Sequence, residues 1–397
     1  MGIVKISSYN FTFCLFKEQH VPPIYQKIRN TRTGKNYVNP ESTPSKAWLS
    51  RITEIRCIPE YLKPVPHTLD NRLKELKIGR IKGFHIDLTG FSCVTDYMNS
   101  KMGSKQRSRL KSRMKRLESC FDIRYEVYFG EIEKDRYEEL FHHMQELIKR
   151  RFDQIGREFN QAGKLKALKK RGFDLILDKK ASFHVIYADS RPIDICLNFH
   201  FQDILNGAIR SYDIDYAKFG LGHIDITKHV EWCLEHNYGI LDFMWGDQPY
   251  KYDWCNNITY LGHHIYYNPK SIIHRLIVPI RVLTYRFKDY KEAKKVEKQK
   301  KAARNRTANT ANPTERPEIQ EIDLQNKNNT TLSEPYKEVS IHTSTYFWLK
   351  PLVFNFQYQY RDHSTDIRVR ELANLPNTYL VLGKNKGIKV QRSTLEA

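Results

Sequence analysis

The sequence predicts an α/β protein, mixed sheets flanked by helices, on three observations. Strand-like and helix-like periods alternate through residues 101–267, apolar residues make up 40% of the chain and aromatics 12%, and its 397 residues exceed the ~100–200 of one ordinary folding unit. That composition excludes a chain disordered throughout and the collagen-like and coiled-coil classes. Lys and Arg total 66 against 45 Asp and Glu, a formal charge of +21, which fits an anionic partner such as nucleic acid, a phosphorylated cofactor or acidic lipid.

Residues 1–80 mix short apolar runs with prolines, among them Pro22, Pro23, Pro64 and Pro66, and predict strands and loops. The apolar run at 11–16 is shorter than the ~7–15-residue core of a signal peptide, and Ile6 stands where N-myristoylation wants Ser or Thr. Stretch 272–287 is broken by Arg275, Arg281 and Arg286, so no membrane span is expected. The cysteines are widely spaced without a CxxC pair, which suggests neither a metal cluster nor a disulfide framework and points to a reducing, cytoplasmic setting.

Residues 101–116 predict a helix with Leu110, Met114 and Leu117 on one stripe and a basic opposite face. That face lacks interleaved aromatics for base stacking and reads as solvated, so nucleic acid is not an expected partner. A strand at 121–129 and a helix at 134–152 follow, the latter burying Leu140, Phe141, Met144, Leu147 and Ile148. After a short helical stretch around Leu165 come strands at 182–188, 193–201 and 207–216. A helix over 224–236 stops at Gly239, strands at 240–244 and 258–267 follow, and a helix from Pro269 carries Pro279 as a kink.

Beyond it the chain turns basic and then polar, predicting a charged, disordered linker over 291–340. In the tail, 341–397, VFNFQYQY at 353–360 alternates like a strand, and 378–382 predicts another. The organisation expected is therefore 1–80 and 81–175 as a first half, 176–290 as a second half, the linker, and a tail too small for its own core.

The stretch 212–254 carries the chemistry: a strand, a glycine turn at Gly220 and Gly222, a helix, a second strand, then a polar loop with Asp247, Tyr250 and Lys251. A glycine turn entering a helix exposes unpaired N–H groups at the positive end of the helix dipole and suits a diphosphate. The same glycines also serve simply to let a turn form. Gly222 ahead of the helix, Asp242-Phe243, Gly246-Asp247, Tyr250-Lys251 and the basic 101–116 helix after Tyr97-Met98 resemble the GNAT-like acetyltransferases of the CelD type, associated with cellulose and exopolysaccharide synthesis, over roughly residues 80–290.

That resemblance implies a tandem GNAT-like fold whose mixed sheet splays between two strands to take acetyl-coenzyme A (or another acyl-coenzyme A). The diphosphate would lie on Lys218, Phe219, Gly220, Leu221, Gly222 and His223; the family's leading Gln/Arg is replaced by Ala217, with Lys218 as the neighbouring positive charge. Acyl transfer needs an oxyanion donor and a base, and can use an acid for the thiolate. His200 is the candidate base, or an ordinary strand histidine. Tyr250 is the candidate acid, or packing under the loop. Asp213, read with Asp215 as alternating on the strand into the turn, is a catalytic candidate, while Asp215, Asp247 and Lys251 are candidates for holding the acceptor; such aspartates are also commonly solvated. Asp242, inside an apolar strand, is either a site carboxylate or an anchor for the following loop.

The expected reaction is acylation of an amino or hydroxyl group on a small-molecule or lipid-linked sugar, in polysaccharide or glycolipid synthesis. Two alternatives stay open: a Fem-type transferase drawing on charged tRNA, which the +21 charge suits, and a non-catalytic protein of GNAT fold that binds RNA or a membrane. The kinked, amphipathic, basic stretch 272–304 is an expected contact with an anionic membrane, or a docking helix that runs into the linker.

Overall fold

A computed structural model describes residues 5–67, 72–156, 162–309, 317–325 and 330–392. In chain order the first part holds β1 (Lys5–Asn10), the short α1 (Phe11–Phe13), β2 (Tyr25–Asn30), β3 (Asn36–Val38), β4 (Arg51–Pro59), β5 (Leu62–Pro66) and β6 (Lys74–Asp87). Next come α2 (Val94–Lys101), α3 (Ser104–Cys120), β7 (Ile123–Tyr128), α4 (Lys134–Gln154) and α5 (Ala162–Leu177). The second part runs β8 (Ala181–Ala188), β9 (Arg191–Phe201), β10 (Ile204–Tyr212), α6 (Leu221–Glu235), β11 (Ile240–Trp245), α7 (Pro249–Trp254), β12 (Asn257–Tyr267) and α8 (Ile272–Asn309).

One nine-stranded mixed sheet, ordered β1-β4-β12-β6-β11-β10-β9-β8-β7, organises these elements, so strands from all three spans up to residue 290 share it. Alternate side chains of a strand leave opposite faces. Ile204 and Ile240 therefore enter the core beneath α4 and α5, whereas Leu205 and Leu241 enter the core beneath α3 and α6. α4 buries Tyr137, Leu140, Phe141, Met144, Leu147 and Ile148, one stripe at helical spacing, as the sequence predicts. α3 likewise buries Leu110 and Leu117 while Lys105, Arg109, Lys111 and Lys115 are exposed.

Several expectations are corrected. The strand read at 207–216 ends at Tyr212; Asp213 and Asp215 sit in a tight helical turn at Ile214–Tyr216, where the Asp213 carboxylate accepts the Asp215 N–H, so they do not alternate on a strand. Residues 353–360 are helical: α9 (Lys350–Tyr360) has Pro351 in its first turn and buries Val353, Phe354, Phe356 and Gln357 on one face.

The span read as linker contains the end of α8 and two strands, β13 (Glu318–Asp323) and β14 (Tyr336–Glu338); residues 310–316 and 326–329 of it lie outside the described ones. With β15 (Arg368–Leu372), β16 (Thr378–Leu382) and β17 (Lys386–Gln391) these strands form a second sheet ordered β13-β17-β16-β15-β14. Ile322, from the span read as linker, thus packs with Leu372, Leu380 and Leu382 of the tail in a small core, and α9 joins this sheet to the main core.

Candidate active site

The parallel neighbours β10 and β11 pair over only three positions, Ile204 with Ile240, Leu205 with Leu241 and Asn206 with Asp242. Past that point each strand is irregular. β10 shifts register against β9 between Gly207 and Ile209, and β11 shifts against β6 between Asp242 and Trp245, with Met244 at φ 59°. A bulge bends its strand, so two bulges just beyond the last shared register part the strands and leave main-chain groups on the facing edges without a ladder.

Two side chains hold β11 in this shape. Asp242 is buried; one carboxylate oxygen accepts the Met244 N–H at 2.6 Å and the other accepts the Tyr61 hydroxyl at 2.5 Å. Lys251, also buried, donates from Nζ to the carbonyls of Phe243 at 2.8 Å and Trp245 at 2.6 Å. Burial lifts the Asp242 carboxyl above its ordinary range and lowers the Lys251 ammonium to about 8. Through these bonds the Asp242 carboxylate holds the start of the loop that follows β11.

The gap opens a cavity on each face of the sheet. Toward α5 and the N-terminal turn lies one of about 660 Å³, lined by Asn206, Ala208, Phe243, Met244, Lys251 and Arg171 among others. Toward α6 lies one of about 400 Å³, lined by Tyr212, Gly220, Gly222, His223, Asp225 and Arg151 among others. Both volumes fall within the ~300–1,000 Å³ of small-molecule sites. Arg210 and Tyr250 line both cavities and stand between them. Arg210 pairs with Asp225 on α6 and lies 5.3 Å from the Phe243 ring centre, while burial raises the Tyr250 phenol above its ordinary range.

The α6-side cavity contains the predicted phosphate turn. Gly220 caps α6 at φ 72°, which glycine tolerates, and Leu221 and Gly222 supply the first N–H groups of the helix. A Cβ at Gly220 would sit 3.0 Å from Nη1 of Arg113, so a guanidinium from α3 lies against the turn. A Cβ at Gly222 would find its nearest neighbour at 3.7 Å, in Tyr212, and the backbone there approaches the cavity freely. Those N–H groups, the helix dipole, Arg113 and Arg151 fit a diphosphate.

The other predicted residues are distributed as follows. His223 lines this cavity and its Nδ1 accepts the Trp254 indole N–H, with burial lowering its pKa. Phe219 and Leu221 turn into the core, and Lys218 is exposed on the turn. Asp247 is exposed in the loop before α7, outside the lining of either cavity. His200 is a correction: it is buried away from both cavities, its ring nitrogens 2.8 Å from the Tyr238 and Ser182 hydroxyls, and burial depresses it to about 3. A ring so enclosed has no route to an acceptor.

Asp213 and Asp215 are also corrected, because both are occupied by a buried ion cluster. Arg150 donates to Asp213 at 2.9 Å and to Asp215 at 2.8 Å, and Lys350 of α9 lies 2.7 Å from Asp213 and 3.4 Å from Asp215. Burial pushes the Asp213 carboxyl up, but Lys350 and Arg150 outweigh it and leave it below the usual range; burial and the Asp213 charge leave Asp215 raised. Sequence reasoning missed Arg210, Arg151 and Arg113. Arg210 had a signal: it is a charged residue inside the strand that runs into the glycine turn, two positions before Tyr212.

Residues 104–252 match the family described as acetyltransferase (GNAT) domain, which spans α3 through the start of α7 and includes the gap and the turn. No curated protein matches the chain. Among solved structures, FemX is 11% identical with a TM-score of 0.41, covering 57% of this chain and 75% of its own. L-PGS from Bacillus licheniformis is 14% identical with a TM-score of 0.35, at 58% and 73% coverage. A conserved protein of unknown function from Bacteroides thetaiotaomicron is 10% identical with a TM-score of 0.36, at 54% and 69%.

Proposed function

We propose that the chain transfers an acyl group, acetyl by default, from acyl-coenzyme A to an amino or hydroxyl group of a sugar-containing acceptor. The observation that carries this reading is the parting of β10 and β11 beside the N-terminus of α6, within the segment that matches the acetyltransferase domain. Coenzyme A enters as substrate from the α6 side, its diphosphate on the Leu221 and Gly222 N–H groups. The acceptor enters from the larger cavity. A sugar acceptor follows from the resemblance of Asp242-Phe243, Gly246-Asp247 and Tyr250-Lys251 to the CelD type.

Attack of the acceptor on the thioester carbonyl puts negative charge on its oxygen. Past Asn206 the main chain of β10 lies outside the β10–β11 ladder, and an N–H group there supplies the oxyanion donor. No histidine or carboxylate is among the described residues lining the larger cavity, and Lys251, lowered to about 8, takes the acceptor proton. As a neutral amine it keeps two N–H donors for Phe243 and Trp245 and still has a lone pair. Tyr250, kept protonated by its raised pKa, gives its proton to the departing thiolate.

Steady-state kinetics with acetyl-coenzyme A and amino- or hydroxyl-bearing sugars test these roles. Tyr250→Phe is expected to lower kcat by about 100-fold with unchanged acetyl-coenzyme A affinity. The rate is expected to rise with pH through about 8, because the neutral Lys251 is the active form. A charged-tRNA donor, with steep salt dependence and no response to acetyl-coenzyme A, would replace this reading by the Fem-type one.

A further inference from the structure

α8 is built with two opposite faces. Its inner face rests on a face of the sheet near the β1 end: Val278 packs with Ile52 of β4 and Ile265 of β12, and Arg281 donates to the buried Glu54 at 2.7 and 2.8 Å, joined by the Tyr285 hydroxyl at 2.6 Å. The outer face is apolar and open. Ile272, Leu276, Ile280, Leu283, Phe287 and Tyr290 are 70%, 66%, 62%, 65%, 57% and 55% exposed, and their helical spacing places them on one stripe. Single exposed apolar residues are ordinary, but a continuous stripe of six marks a docking surface.

The charges beside the stripe indicate its occupant. Arg275 and Arg286 on one flank and Lys291 on the other are exposed, and Nζ of Lys291 and Lys294 lie 4.5 Å and 4.7 Å over the Phe287 and Tyr290 rings. No Asp or Glu occurs between 272 and 288. A second copy of this chain suits the stripe poorly. With positions 273, 276, 280, 283, 287 and 290 as a coiled-coil seam, Arg286 would face Lys291 of the other helix, and Pro279 flanks the seam. An anionic lipid surface satisfies both the apolar stripe and its basic rims. No described helix is long and apolar enough to cross a membrane, so α8 would lie in the interface.

We infer that the outer face of α8 docks the protein on an anionic membrane surface, with the stripe in the headgroup–acyl boundary and the flanking Arg and Lys on lipid phosphates. The inference goes beyond the proposed transfer reaction and does not depend on it. Flotation of the full chain with vesicles of phosphatidylcholine alone, or with ~30% phosphatidylglycerol, tests it. Binding is expected to the anionic vesicles, falling with salt, and Leu276→Glu/Leu283→Glu is expected to weaken it by at least about tenfold. Both leucines are exposed, so unchanged far-UV circular dichroism is expected to show the variant folded. Absence of anionic-vesicle binding at low salt would overturn the inference, as would equal binding by the double variant. Sedimentation showing a dimer that the same substitutions dissolve would also overturn it, in favour of a second copy.

Discussion

Gly222→Trp is expected to abolish binding of acetyl-coenzyme A while leaving the fold intact. Gly222 lies in the first turn of α6, lines the α6-side cavity and has ordinary contact distance, 3.7 Å, around a notional Cβ. Its φ is outside the positive region that makes Gly220 irreplaceable, so a side chain causes no backbone strain there. An indole at this point occupies the space a diphosphate needs to reach the free N–H groups. Calorimetry is expected to show a loss of at least about 100-fold, or ~3 kcal/mol. Gly222→Ala is expected to bind nearly as wild type. Equal affinity in the tryptophan variant would mean that coenzyme A does not use this turn.

Lys350→Met is expected to give the largest loss of stability. The side chain enters from α9, in the tail, and with Arg150 neutralises the buried Asp213 and Asp215. Removing one partner leaves a carboxylate buried without its countercharge, at a cost of about 3 kcal/mol, checked by the denaturant midpoint at pH 7. The sign of its pH dependence follows from Asp213. Its folded pKa is below the ordinary value, so its contribution is present above ~pH 4 and is lost as pH falls through the folded pKa. The difference between wild type and variant is therefore expected to narrow below ~pH 4. A constant difference would point to packing rather than charge.

This cluster also gives the tail, over its described residues 341–392, a structural role. The Phe354 ring of α9 lies tilted 4.3 Å from that of Tyr216 and edge-on 5.4 Å from that of Phe121, and Tyr358 meets Phe219 edge-on at 5.1 Å. The tail thereby supports the turn from Asp213 to Gly220 that presents the N-terminus of α6. Loosening it is expected to reduce ligand affinity as well as stability.

Local pattern made much of the fold legible. The α4 stripe, the glycine turn and helix at 220–235, and the strand at 240–244 are each set by neighbours in sequence, and those are the elements that place the gap. The errors fell where distant residues decide. Alternation in 353–360 fits a strand as well as a helix, and only packing against Phe121 and Tyr216 selects the helical face. His200 looks available until Tyr238 and Ser182 enclose it. Arg210 reads as the polar half of an alternating strand until the bulges in β10 and β11 leave it between two cavities. The second sheet pairs β13 with β17 across the span taken for a linker, a long-range contact that no short window of sequence carries.

Hydrogen exchange of the full chain with and without acetyl-coenzyme A tests the central claim most directly. The account predicts slowed exchange at the Leu221 and Gly222 amides and at amides of β10 past Asn206, where the strand has left the β11 ladder. Binding that protects neither the start of α6 nor that edge of β10 would contradict it.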